Sequence, residues 1–339
     1  MGGVGKGREC GMSEHIFLED VGKPYSSSPI GDARLWEVPD LRKDSSIPPF
    51  IYVIESEIGQ NFLLGREICG RPKFNMIRYL AKAFVQLFFE KLSGKRLSQY
   101  LILRGAYPFD LQCAFGSAPP YDIQLLPTCF IKLQKTLNKE KTDWEIEGGD
   151  FIGKYQGDCW LVPETAIASG STVAFFLKNA FKHHLPKQVY VFTTCGSLEG
   201  VQRIYRECLL AGVELIPVFS QCLFEVSKVG NLPDLPLTDL PILNPGSITT
   251  KAFYEKAVGR YQGTRMCSAG NVTESLDDPF QYSIHTLWEM QILGMDPKKE
   301  NWEAWTVDVR QEKFRKGVAD FNMGLHDYFR ETWGVKKTD

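Results

Sequence analysis

With 339 residues, 43% of them hydrophobic and 24% charged, the chain has an ordinary globular composition and enough apolar mass for a sizeable core, as one large domain or two smaller ones. A net charge of −2 excludes an overall pull toward nucleic acid or an anionic membrane, so an anion site would have to be local. No apolar run approaches the roughly 20 residues of a membrane span, and the N-terminus lacks the charged-then-apolar layout of a signal peptide. The nine cysteines are scattered, without a Cys-x-x-Cys pair or histidines at zinc spacing, and read as reduced thiols in a cytoplasmic protein.

Residues 1–47 are rich in Gly, Ser and charge and read as a flexible N-terminal segment. A strand is predicted over 50–54. A helix is predicted over 74–92, where Ile77, Leu80, Ala81, Phe84, Leu87, Phe88 and Leu92 recur at helical spacing and Gly94 ends the run. Its broad apolar arc suits either a buried domain helix or the face of a homodimer. Strands follow over 100–103 and 129–133. From 134 to 158 the composition turns to Lys, Glu, Asp and Gly, which predicts a mobile loop over a site. Next come a strand over 160–162, a small-residue loop and a helix from Val173, then a strand over 189–193, a helix over 199–211 and a strand over 213–219. This alternation predicts an α/β fold, a mostly parallel sheet with helices on both faces. The domain is expected to span 48–275, with an irregular Pro-, Leu- and Asn-rich insert at about 227–262. Residues 276–339, with Trp288, Trp302, Trp305 and Trp333, read as a helical C-terminal extension.

In an open parallel sheet ligands bind beyond the carboxyl ends of the strands. Three loops should converge there. After Leu103 come Arg104 and Gly105, a guanidinium beside an approachable backbone. After Leu133 comes the charged stretch with Lys135, Lys139 and Lys141. After Val162 come Glu164 and then Ala166, Ala168, Ser169, Gly170, Ser171 and Thr172. Small residues let a backbone approach an anion, hydroxyls add donors, and the new helix offers N–H groups and the positive end of its dipole. Glu164 could hold sugar hydroxyls or a metal ion. The alternative is a plain strand-to-helix turn with a serine N-cap. Three anion-suited loops together suggest a ligand with several phosphates and a sugar between them.

These residues resemble a known family. Leu101-Ile-Leu-Arg-Gly-Ala-Tyr-Pro-Phe109 resembles the Ile-Leu-Arg-Ala-Gly pyrophosphate loop of uracil phosphoribosyltransferases. Glu164-Thr-Ala-Ile-Ala-Ser-Gly-Ser171 resembles their Asp-Pro-Met-Leu-Ala-Thr-Gly-Gly-Ser segment, and Cys195-Gly-Ser-Leu-Glu-Gly-Val-Gln-Arg-Ile204 their Ala-Pro-Glu-Gly-Ile-Glu-Arg stretch. Order and spacing agree over about 66–225 and more weakly to 275. The resemblance implies a type I phosphoribosyltransferase fold that binds phosphoribosyl pyrophosphate with Mg²⁺ and transfers ribose 5-phosphate to uracil or a related pyrimidine. It implies that Ala168, Ser169, Gly170, Ser171 and Thr172 hold the 5-phosphate, Glu164 the ribose hydroxyls, and Arg104 and Gly105 the pyrophosphate, with Lys135 as a second pyrophosphate contact. The base would lie near Ala269, Gly270 and Asn271, in a segment that resembles the family's Gly-Asp-Ala-Gly-Asp. Pro163 stands where most phosphoribosyltransferases have a first acid, although the uracil branch also has only one, and the sequence departs from the family at Ser171, where it has a second glycine, and at Asn271, where it has an acid.

Plainer readings stand beside these. Arg104 could cap a strand end, Glu164 the following helix, and Lys135 could be a solvated charge. His183 and His184 suit the dipole at a helix end, His285 and His326 lie on amphipathic patterns, and Cys195 reads as an inert thiol. A non-catalytic sensor of phosphoribosyl pyrophosphate or a nucleotide is the second function class. A structural protein with a decayed loop is the third, and the hydroxyls and Gly170 speak against it.

Overall fold

The computed structural model describes residues 16–25, 31–40, 45–64, 71–103, 106, 109, 111–116, 122–137, 144–224, 240–241, 247–261 and 266–267. The chain begins with β1 (Ile16–Phe17), α1 (Leu18–Val21), β2 (Lys23–Pro24), β3 (Arg34–Pro39) and β4 (Phe50–Glu55). Then come α2 (Glu57–Leu64), α3 (Arg71–Leu87), α4 (Phe89–Leu92), β5 (Arg96–Leu103), α5 (Leu111–Gly116), β6 (Gln124–Leu125), β7 (Cys129–Leu137) and β8 (Trp144–Ile152). Strand and helix alternate through β9 (Cys159–Ile167), α6 (Ser171–Ala180), β10 (Gln188–Ser197), α7 (Leu198–Ala211) and β11 (Glu214–Phe224). β12 (Leu240–Pro241), β13 (Ile248–Thr249), α8 (Lys251–Tyr261) and β14 (Met266–Cys267) complete the described elements.

The main sheet runs β2-β3-β4-β11-β10-β9-β5-β7-β8. From β4 across to β7 each neighbouring pair is parallel, and β3 and β8 join antiparallel at the two flanks. This is the α/β sheet that the alternation predicts. The strand order also locates a crevice. From β5 the chain moves outward to β7, and from β9 it moves the other way to β10 and β11. The loops after β5 and β9 therefore diverge to opposite faces, and such a switch point opens a cleft at the carboxyl edge.

Helices cover both faces because the strands are apolar on both. On one face α3 buries Ile77, Leu80, Ala81, Phe84 and Leu87, and Phe88 follows directly. Phe84 stacks on Phe88 and on Phe192 of β10, with centroids 5.2 and 4.7 Å apart. The apolar arc of this helix is thus used inside the domain. The helical run breaks at Phe88, before α4. On the other face Phe176 and Leu177 of α6 and Ile204 of α7 pack with Tyr100, Trp160 and Val191.

Three expectations need correction. Residues 34–39, expected to be flexible, pair with β4 along their whole length, from Arg34 opposite Glu55 to Pro39 opposite Phe50. Leu35, Trp36 and Val38 are buried, and Trp36 Nε1 donates to Glu55 Oε2 at 3.0 Å. A six-residue run with three apolar residues within a polar, Gly-rich segment is a weak local signal, and pairing with β4 stabilises it. The stretch 134–158, expected to be a mobile loop, supplies the outer half of a β7–β8 ribbon paired from Phe130 opposite Ile152 to Leu137 opposite Trp144, with a register shift between Gln134 and Lys135. Just beyond it Tyr155 stacks on Phe151 (4.2 Å) and on His183 (5.2 Å). Its many charges suit an edge ribbon, which needs them to resist further pairing. The expected irregular insert gives way at 248–261 to β13 and α8, with Phe253 fully buried.

The N-terminal elements and α8 form one layer. Glu19 accepts from the Lys251 amide at 3.0 Å, Lys251 Nζ lies 3.2 Å from Asp20, and Phe17 meets the Tyr254 ring edge-on. β13 pairs with both β1 and β11, which fixes this layer to the carboxyl end of β11. Among the described residues no helix is long and apolar enough to cross a membrane. The expected extension 276–339 lies outside the described residues.

Candidate ligand site at the carboxyl edge of the sheet

β9 runs three residues past Glu164, which stands opposite Thr193 of β10. Glu164 is half-buried, and its Oε1 accepts from the Thr165 amide at 2.9 Å. The Thr165 carbonyl accepts from Thr193 Oγ1 at 2.9 Å and from Thr194 Oγ1. The ends of β9 and β10 are thus bound together by buried hydroxyls, which holds the following loop in place.

That loop turns at Gly170, whose φ of +69° is left-handed and favours glycine. A Cβ at Gly170 would overlap the Gly200 carbonyl and come within 2.9 Å of Gly200 Cα. A Cβ at Gly200 would in turn lie 2.6 Å from the Ala168 carbonyl oxygen. Backbone therefore rests on backbone between the loop and the first turn of α7. Ser197 completes the join: its hydroxyl accepts from the Gly200 amide at 2.8 Å and donates to the Ala168 carbonyl.

Gly170 is also the N-cap of α6 and brings no side chain to the task. This corrects the reading of the turn as a serine cap. The first intrahelical bond runs from the Ala174 amide to the Gly170 carbonyl at 3.0 Å. The amides of Ser171, Thr172 and Val173 precede it and point out of the helix end. Ser169 and Ser171 lie beside them with their hydroxyls 3.2 Å apart, half-buried like Thr172. Ser171 is already helical, so its Cβ imposes no strain; the left-handed position is Gly170, which the sequence retains. Fixed amide dipoles, hydroxyls and an upstream carboxylate form a site suited to a phosphate joined to a hydroxylated group.

The structure thus places Ala168, Ser169 and Gly170 in the turn, Ser171 and Thr172 in the first turn of α6, and Glu164 upstream on β9. Arg104, Gly105, Ala269, Gly270 and Asn271 lie outside the described residues. Lys135 stands on β7 opposite Ile146, beside a register shift, and its side chain is outside them too. Among the described residues no three His, Cys, Asp or Glu side chains cluster as a metal site. His183 and His184 take part in packing: one ring stacks on Tyr155 and the other on Trp160, with His184 Nε2 2.8 Å from the Gly157 carbonyl. Cys195 is fully buried. Sequence reasoning assigned no role to Ser197, Gly200 or the threonine pair. The pattern Ser-x-x-Gly at a strand-to-helix junction is a readable capping signal, but its contact with residues 168–170 is tertiary.

No family model matches the chain, and no curated protein does. Among solved structures, a protein of Aquifex aeolicus is similar over 51% of this chain and 88% of its own, at 15% identity and a TM-score of 0.38. A hypoxanthine-guanine phosphoribosyltransferase of Bacillus anthracis is similar over 37% of this chain and 72% of its own, at 21% identity and a TM-score of 0.30. The hypoxanthine phosphoribosyltransferase of Trypanosoma cruzi, in complex with its product IMP, is similar over 38% and 67%, at 17% identity and a TM-score of 0.28. At these identities the chemistry of the site rests on this chain's own residues.

Proposed function

We propose that the chain binds phosphoribosyl pyrophosphate at the carboxyl edge of β9 and transfers its ribose 5-phosphate to a nucleobase, releasing pyrophosphate. The observation that carries this reading is the start of α6: a left-handed glycine locked against Gly200, with helix amides and serine hydroxyls beside it and Glu164 upstream on β9. The amides of Ser171 to Val173 and the hydroxyls of Ser169, Ser171 and Thr172 would bind the 5-phosphate. Glu164 would orient the ribose hydroxyls. Arg104 and Gly105, directly after β5, are assigned to the pyrophosphate by the resemblance, with Lys135 as a second contact. Displacement at C1 passes through an oxocarbenium-like state, so the protein's contribution is positioning and electrostatics.

Mg²⁺ suits this site as a companion of the donor. Magnesium usually binds through one or two carboxylates plus substrate phosphates, and Glu164 is the carboxylate that the described loop offers. When bound, it would neutralise charge on the departing pyrophosphate. The resemblance favours uracil or a related pyrimidine as acceptor, in a cytoplasmic salvage reaction, with residues 269–271 near the base and a homodimer as the assembly.

The test is labelled phosphoribosyl pyrophosphate incubated with a panel of pyrimidine and purine bases. Nucleotide formation with one of them supports the transferase. Tight binding without turnover supports the second reading, a sensor, which the Ser-Gly-Ser loop and Asn271 in place of the family's acid favour. Absence of binding by the wild-type chain overturns both.

A further inference from the structure

Unsatisfied polar side chains lie on the residues around the pairing of β13 with the end of β11. Ser220 and Gln221 of β11, and Ser247 and Thr249 on either side of Ile248, are 0% exposed. The three hydroxyls and the Gln221 amide nitrogen find no hydrogen-bond partner among the described residues. Leu223 faces Ile248 across the antiparallel β11–β13 contact, which sets Thr249 and Ser247 alongside this end of β11. Here β11 takes three steps from Phe219 to Cys222 while β10 takes two from Thr193 to Cys195. Ser220 and Gln221 therefore sit on a β-bulge, the device that re-aims side chains at strand ends. The Gln221 carbonyl oxygen accepts from the Ser56 amide at 3.4 Å, which leaves the NH₂ group as the unpaired half.

Position and chemistry narrow what this group could recognise. β11 lies two strands from β9 on the same carboxyl edge. At about 4.8 Å per strand that is roughly 10 Å, a distance that a nucleotide can span from phosphate to base. None of the four side chains is charged. Hydroxyls that donate and accept, with an amide that donates, match a neutral ring with a lactam edge. A buried polar group left unpaired weakens a fold, so these four call for a partner.

We propose that this cluster reads the acceptor base, with Gln221, Ser220 and Thr249 pairing to the ring's lactam edge while its sugar phosphate sits at the start of α6. The assignment rests on the phosphoribosyl reading above and is independent of residues 269–271. All four side chains are buried, so entry of the ring requires the β11–β13 junction to open.

The experiment titrates ribose 5-phosphate, uridine 5′-monophosphate and inosine 5′-monophosphate into the full chain by calorimetry. It uses wild type, Thr249→Val, Ser220→Ala and Gln221→Leu. The first two variants are nearly isosteric and lose no bond seen among the described residues, so they should fold. In wild type at least one nucleotide binds more tightly than ribose 5-phosphate. That ratio falls about fivefold in Thr249→Val and Ser220→Ala and about tenfold in Gln221→Leu, with ribose 5-phosphate affinity unchanged. Ribose 5-phosphate that binds while the ratio stays at its wild-type value in all variants overturns this assignment alone. Failure of wild type to bind ribose 5-phosphate overturns the phosphoribosyl reading and this assignment with it.

Discussion

α6 and α7 start next to each other at the carboxyl edge of the sheet, and they start differently. α7 is closed: Ser197 caps it by accepting from the Gly200 amide. α2 and α8 are closed as well. The Gly59 amide donates to Ser56 and the Glu57 amide to Asp32, while Glu19 and Thr250 accept from the first amides of α8. α6 begins at a glycine with no side-chain cap. The contrast separates two kinds of helix start. A helix start that supplies its own acceptor is structural, and one that keeps its donors available suits an outside anion. Ser197 serves both kinds, since it closes α7 and also holds the Ala168 carbonyl of the open loop.

Breaking the glycine contact should have the largest effect. Gly170→Val places a branched Cβ at a φ of +69° against Gly200. We expect a loss of about 3 kcal/mol or more in urea unfolding, from strain and overlap combined, and no ribose 5-phosphate binding. Unchanged stability would mean that the interlock does not shape the loop. Ser197→Ala should come next, with a loss of about 1–2 kcal/mol for the cap. Because the Ala168 hold goes too, ribose 5-phosphate affinity should fall about tenfold; a stability loss with full affinity would separate the two helix starts. Ser169→Ala inverts this pattern. Stability should stay within about 0.5 kcal/mol, while affinity drops about fivefold and the ligand's protection against thermal unfolding shrinks.

The smallest effect concerns the closed start of α2. Partial burial of Asp32 would raise its pKa, but the bonds from Tyr79 Oη (2.7 Å) and the Glu57 amide outweigh it and hold the carboxyl below its usual range. Burial, then the bond to Asp32, pushes the Tyr79 hydroxyl up to about 12. A depressed folded-state pKa contributes stability that is complete above the unfolded value of about 3.9 and is lost as pH falls through the folded value. Asp32→Asn should therefore flatten the acid limb of the stability–pH curve below about pH 4. Asp32 is exposed, so salt should screen the effect. Ribose 5-phosphate affinity at neutral pH should not change, because this helix start is structural.

The sequence by itself determined the elements whose signal is local: the helical spacing of Ile77 to Leu87, the apolar runs of β9, β10 and β11, and their alternation with α6 and α7. It also showed small residues and hydroxyls at 166–172 between a strand and a helix, a pattern carried by adjacent positions. Only the tertiary structure decided which backbones meet. Glu19 caps a helix 232 residues away, and nothing near either residue encodes that pairing. Residues 34–39 become a strand because β4 offers them an edge, and 134–137 because β8 folds back on them. The need for glycine at 170 could be anticipated, but the need at 200 arises from the Ala168 carbonyl packed against it. Periodicity reports what one segment can bury; the partner that buries it is chosen by the whole chain.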